Sequence, residues 1–244
     1  MGTSVRPNGI GTAAAALRYL ERRQEVVSNN LANVNTDGFK GERAFSRLLE
    51  DGQTPAMQTA TDLRAGPLAT SGAPLDLAIT GEGFFVVQTA GGERLTRGGS
   101  MRIDDQHRLV DASGQPVLGE ADPKGGTNGP VVLPANASAI SVDSGGAVTV
   151  DGHQIARLRL ERVGAGARLQ HEANGVFAAS SQTERVPTGE RTVRQGAREE
   201  SNVSTIESLV DMISVQRAYA SVQKVLSTID SARGLATTEL GKPV

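Results

Sequence analysis

The sequence predicts a mixed α and β chain. N- and C-terminal helices pair as a coiled coil, and a central all-β domain, barrel- or sandwich-like, lies between them. Three observations predict this: uneven punctuation, helical periodicity at both ends, and short apolar pieces alternating with turns in the middle. Only Pro7 and Pro243 of the 10 Pro lie outside 55–187, and 24 of the 29 Gly fall within 38–196. Gly is absent from 12–37 and again from 197–233. Gly and Pro punctuate structure, so two unpunctuated ends flank a densely punctuated middle.

The N-terminal part is assigned to 1–40. Ile10, Ala13, Leu17, Leu20, Gln24, Val27 and Leu31 recur at spacings of 3 and 4, a heptad stripe with one polar break at Gln24. Arg18, Glu21, Arg22, Arg23 and Glu25 occupy the opposite face. Asn29, Asn30, Asn33 and Asn35 crowd the helix end. Asn tolerates the left-handed conformation and bonds local backbone. Thr36-Asp37-Gly38 then supplies a turn and Phe39 an apolar anchor.

Residues 41–74 form an extended connector, with Gln53, Thr54, Gln58, Thr59 and Thr61 and few large apolar side chains. The β domain is placed at 75–196. Its strand-like pieces are Leu75–Ile79, Phe84–Val87, Leu95–Thr96, Met101–Ile103, Leu109–Val110, Val117–Leu118, Val131–Leu133, Ile140–Val142, Val148–Val150 and Ile155–Leu160. Gly81-Glu82-Gly83, Gly91-Gly92, Ser113-Gly114 and Asp151-Gly152 are turn chemistry.

The C-terminal part is 197–244. Met212, Val215, Tyr219, Val222, Leu226 and Ile229 again recur at 3 and 4. Ile206, Leu209, Val210 and Ile213 lead into that stripe. Ser204 stands three residues before Glu207 in a capping-box pattern, and Gly234 is the expected C-cap. A two-helix hairpin buries one face of each helix, so Val210, Ile213 and Val225 leave apolar surface for other subunits.

Composition bounds the chemistry. Hydrophobic residues make up 38% without glycine, so the chain is not a low-hydrophobicity disordered polymer. Five Phe, two Tyr and no Trp make the core aliphatic and thin. Lys plus Arg number 25 against 27 Asp plus Glu, so bulk charge gives no case for nucleic acid. Zero Cys excludes disulfides and thiol chemistry. The longest apolar run near the N-terminus, Ala13 to Leu17, meets Arg18 at once. Neither a spanning segment nor a secretory signal is expected from it.

No catalytic, cofactor-binding or metal-binding set emerges. His107, His153 and His171 lack the spacing of a zinc-binding helix. Asp104-Asp105-Gln106-His107 reads as a polar hairpin turn. Gly81-Glu82-Gly83 lacks the third glycine of a phosphate loop, and neither Ser100 nor Ser113 sits in a nucleophile elbow. Arg157, Arg159 and Arg162 form a basic strand face, solvated or turned toward another subunit.

Five ordered motifs carry a family resemblance. The run from Asn29 to Lys40 resembles the N-terminal signature of bacterial flagellar rod and hook proteins. Gly72 to Phe85 is similar to the segment that opens the β domain of the rod proteins, and Thr96-Arg97-Gly98-Gly99-Ser100 to a turn that comes after it. Glu200-Ser201-Asn202-Val203 and Gln216-Arg217-Ala218-Tyr219 also resemble rod-protein motifs.

The resemblance implies a structural axial subunit of the flagellar basal-body rod. Its end helices would form an inner coiled-coil layer and its β domain an outer one. The implied partners are other rod subunits, copies of itself and the flagellar type III export apparatus. No nucleic acid and no membrane insertion are implied, and the location is the rod within the periplasm, reached without a cleaved signal. The compact middle and Gly129 to Pro134 favour the proximal-rod type. Gln216 to Tyr219 is closer to the distal type, and the polar start Met1–Asn8 departs from both. A secreted cell-wall hydrolase or binding module is the alternative from another class. The expected assembly interface comprises Ile10, Ala13, Leu17, Leu20, Val27, Leu31, Asn29, Asn30, Asn33 and Phe39 from the first end. From the second it comprises Ile206, Val210, Met212, Ile213, Val215, Tyr219, Val222, Leu226 and Ile229.

Overall fold

The computed structural model describes residues 9–48, 55–121, 128–164, 169–172, 175–179 and 183–240. Side chains are described for all of these except 9, 10, 46–48, 55–57 and 236–240. The polar start 1–8 therefore lies outside the described residues, as does the side chain of Ile10. The chain forms two compact units, one from 1–32, 42–60 and 204–244, the other from 33–41 and 61–203.

The first unit holds both helices, α1 (Gly9–Ala32) and α2 (Thr205–Leu240), and a two-stranded sheet of Glu42–Leu48 with Pro55–Thr61. Two stretches of the expected connector are thus paired strands. The helices lie against each other, and α1 also packs on the strand Glu42–Leu48. Leu20, Val26 and Val27 of α1 and Val215 of α2 are buried.

The start of α2 agrees with the capping-box expectation. The backbone N–H of Glu207 donates to Ser204 Oγ at 3.3 Å, which satisfies one of the donors left unpaired at a helix start. The end departs from expectation: α2 runs through Gly234 to Leu240, so Gly234 is not the C-cap. One Gly costs about 1 kcal/mol against Ala within a helix. Leu235 and Ala236 continue the helix beyond it, and that single penalty is too small to stop it.

The second unit is mostly β. A six-stranded antiparallel sheet runs in the order Leu169–His171, Val176–Ala179, Gly92–Thr96, Phe84–Thr89, Leu160–Val163, Thr183–Arg185. A five-stranded antiparallel sheet runs Gly129–Pro130, Leu118–Glu120, His153–Leu158, Ala147–Val150, Ile140–Val142. Three two-stranded ladders complete it: Val193–Gln195 with Leu77–Ile79, Ala197–Glu199 with Leu68–Thr70, and Arg102–Ile103 with Leu109–Val110. Among the described residues no barrel closes, which corrects the barrel form of the expectation. Closure requires tilted strands with continuous register around the ring, and edge strands of two or three residues are too short to supply it.

Phe85, Val87 and Leu160 of the larger sheet share one apolar core with Val148, Val150 and Leu158 of the smaller. Phe84, Val86, Leu95, Leu118, Leu169 and Phe177 form a second cluster. The strand Phe84–Thr89 therefore buries alternate side chains in two different cores. A strand buried on both faces reads as an unbroken apolar run, which is why Phe84–Val87 stands out in the sequence. The expected Val131–Leu133 strand is instead an isolated bridge between Val132 and Arg108.

Candidate assembly surfaces and the buried charge cluster

In α1, Leu20 and Val27 are buried, while Ala13, Leu17 and Leu31 are half-buried. In α2, Val215 is buried, and Met212, Tyr219, Val222, Leu226 and Ile229 are half-buried. Side-chain links between the helices include Arg23, which donates to Asp211 at 3.2 Å, and Tyr219 Oη, which donates to Glu21 at 3.2 Å. Val215 stands between them on α2. A different face of the first turns of α2 is exposed, with Ile206 at 76%, Val210 at 60% and Ile213 at 50% of full accessibility. Leu209, Val225 and Leu235 are exposed as well.

The expected Asn-rich segment divides between the two units. Asn29 is exposed. Asn30 Oδ1 accepts from the Glu42 N–H at 2.9 Å, and its Nδ2 donates to the Glu42 carbonyl at 2.8 Å. That side chain imitates one rung of a β ladder inside its own unit. Asn33, in the second unit, accepts from Thr36 Oγ1 at 3.3 Å. Phe39 is 4% exposed and lies 5.0 Å from the His171 ring, so it is a core side chain of its own unit.

The residues beyond Phe39 reveal what the sequence reading missed. Lys40 is fully buried and donates to Glu199 Oε1 at 2.5 Å and to the Arg64 carbonyl at 2.8 Å. Arg97 donates to Glu199 Oε2 at 2.9 Å, to the Ile79 carbonyl at 3.0 Å and to the Gly81 carbonyl at 2.8 Å. Its guanidinium lies 5.1 Å from the Phe84 ring centroid, within range for a cation–π contact. The Gly66 N–H adds a further donor to Glu199 Oε1 at 2.9 Å. Burial outweighs the favourable pull of Glu199 and holds the Lys40 ammonium below its ordinary pKa.

Thus Lys40 of the first motif and Arg97 of the Thr96–Ser100 turn meet at Glu199, one residue before the Glu200 motif. An exposed reading of each charge is the default. Their separations of 159 and 102 residues hid the cluster. Gly38 belongs to the same corner. It takes φ +68°, and a Cβ there would lie 2.2 Å from the Arg97 carbonyl carbon.

Asp104 and His107 build a turn. Asp104 accepts from the N–H groups of Gln106 and Arg108 at 2.9 and 2.8 Å and pairs with the Arg108 guanidinium. His107 sits at the turn with φ +60°. The basic strand face is matched by acid: Arg159 pairs with Glu93 and Glu161, Arg162 with Glu184 and Glu190, and Arg157 donates to the Gly145 carbonyl. A cleft of about 660 Å³ lies beside that network, floored by Val86, Leu95 and Phe177. Among the described residues no group of three acidic or His side chains could hold a metal ion, and no helix is long and apolar enough to cross a membrane.

Comparison with known proteins adds three family matches in chain order. Residues 10–40 match the flagella basal body rod protein family. Residues 78–150 match the flagellar hook protein FlgE/F/G D1 domain, and 194–237 the flagellar basal body rod FlgEFG protein C-terminal family. The chain is 32% identical to the flagellar basal-body rod protein FlgF of Caulobacter vibrioides, over 91% of this chain and 94% of that protein. It is 31% identical to FlgF of Escherichia coli, over 94% and 96% of the two chains. The flagellar basal-body rod protein FlgG of Bacillus subtilis is 28% identical over 88% and 92%.

Proposed function

The chain belongs to the flagellar basal-body rod protein family, and from that premise we propose how it acts as a structural subunit of the rod. Its relatives are named as rod proteins and not as enzymes. The FlgF relatives match over more of this chain, at slightly higher identity, than the Bacillus subtilis FlgG. This favours the proximal-rod type over the distal type.

In this reading α1 and α2 pair as a coiled coil and pack with other rod subunits and with copies of the chain. The chain reaches the rod in the periplasm through the flagellar type III export apparatus. One observation carries the proposal: the exposed apolar face of Ile206, Val210 and Ile213 beside a helix pair already partly satisfied. Length agrees. Among the described residues α2, with 36, is longer than α1, with 24, by about 18 Å.

The test is a full-length Ile206→Ser, Val210→Ser, Ile213→Ser variant. We expect its thermal unfolding to match that of the unchanged chain, because the three side chains are already in water. We expect its incorporation into purified basal bodies, and swimming in soft agar, to be lost. Normal swimming would remove this face from the assembly interface. Basal bodies from a strain lacking the distal-rod subunit should retain the chain; its loss there would favour the distal assignment.

A further inference from the structure

The ladder that leads the chain toward α2 is very short. Ala197, Arg198 and Glu199 face Thr70, Ala69 and Leu68 in a two-stranded antiparallel pair. Isolated two-stranded ladders are marginal in water, and a strand polar on both faces specifies register weakly. The Val193–Gln195 ladder sets the chain only as far as Gly196, and the three pairs beyond it leave room for a further determinant of register.

Successive side chains on a strand point to opposite faces. On one side Glu199 meets Lys40 and Arg97, at 2.5 and 2.9 Å. On the other, Arg198 meets Asp37 at 2.7 Å and Asp76 at 3.3 Å. We propose that the alternating charges of Arg198 and Glu199 encode the register of this strand, reading two carboxylates on one side and two cations on the other. The next residue, Glu200, makes the code necessary. A slip of one residue forward would bring Glu200 to the cations with the correct sign. The same slip sets Glu199 against Asp37 and Asp76, where like charges repel. A slip in the other direction sets Arg198 against Lys40 and Arg97. The backward slip sets like charges together in a buried site, where such contacts are severe, and the forward slip sets them together in a half-buried one, where water weakens the repulsion without removing it. A slip would also pass the chain on to α2 one residue out of step. Asn202 supports the same register, accepting from the Gly41 N–H at 2.8 Å and donating to the Asp62 carbonyl at 2.8 Å.

The absence of Cys from the sequence makes register directly readable. The Glu200 N–H donates to the Pro67 carbonyl and the Ser71 N–H to the Gly196 carbonyl. Ala197 and Thr70 are therefore a non-hydrogen-bonded pair, with Cα atoms about 4.5 Å apart, within reach of a disulfide. In the full chain, Thr70→Cys/Ala197→Cys should crosslink on oxidation and Ser71→Cys/Ala197→Cys should not. Adding Glu199→Gln, alone and with Asn202→Ala, removes the repulsion that blocks the forward slip and leaves Glu200 to take the cations. The native crosslink should then fall, and the slipped one should rise at least about tenfold, a shift of about 1.4 kcal/mol. Asp37→Asn/Asp76→Asn should raise the slipped crosslink without touching the cation side. Native crosslinking that persists in all these variants would overturn the proposal, because the ladder would then hold register unaided. Loss of both crosslinks together would overturn it too, since the charges would then be needed for folding as such.

Discussion

Asp111 shows how a single buried residue trades charge against hydrogen bonds. It is 5% exposed, and its Oδ1 accepts from the N–H groups of Ser113 and Gln115 at 2.9 and 2.8 Å. Burial pushes its carboxyl above the ordinary value of 3.8, although those bonds and Arg102 pull the other way. A carboxyl raised by folding holds its proton more tightly in the folded chain than in the unfolded one. Its ionisation therefore opposes folding, increasingly from pH 3.8 to the raised value and fully above that. Asp111→Asn keeps the accepting oxygen and removes the charge. We expect a higher urea midpoint than the unchanged chain at neutral pH and an equal one well below pH 3.8. A lower midpoint at neutral pH would mean that the charged bonds outweigh burial.

At the scale of elements, periodicity carried the most information. The stripe Met212, Val215, Tyr219, Val222, Leu226 and Ile229 is the less exposed face of α2, because a 3.6-residue period places those positions on one side. Short β pieces were visible where both faces are buried, as at Phe84–Val87. The strands Thr183–Arg185, Val193–Gln195 and Ala197–Glu199 were not visible, since their polar and charged residues break any apolar pattern; ion pairs across the fold hold the first and third, and Gln195 hydrogen bonds to the Pro74 and Ile140 carbonyls hold the second. The cluster at Glu199 was illegible for the same reason: sequence shows the charges but not that they meet. Gly234 misled because a C-cap signal depends on whether the residues after it can carry the helix on. No side chain lies within 4 Å of where its Cβ would be, and it is exposed within α2. Gly234→Ala should therefore stabilise the end of α2 by about 0.5–1 kcal/mol, seen as slower amide exchange across 230–238. Faster exchange would indicate that Gly234 bends or ends the helix after all.

For the whole molecule, each unit has its own apolar core, and this separates two kinds of damage. Leu20, Val26, Val27 and Val215 are buried in the helical unit, while the β unit is built on Phe85, Val87, Leu158 and Leu160. Val215 is fully buried between the Arg23–Asp211 and Tyr219–Glu21 links. Val215→Asp places a carboxylate there with no cation of its own, at a cost of several kcal/mol. An isolated helix of this length is marginal once its packing is lost, so the helical unit should melt. The β unit shares none of the four buried residues and should keep its unfolding transition within about 0.5 kcal/mol, as expected for a change that touches nothing in it. Amide exchange resolved by segment separates these outcomes: fast over 12–32 and 205–235, unchanged over 84–89 and 147–160. Such a protein would be folded in its larger part yet absent from basal bodies, and the cell would not swim. If the β unit loses protection to the same degree as the helices, the two units fold as one. A motility defect would then report stability and not the helix seam.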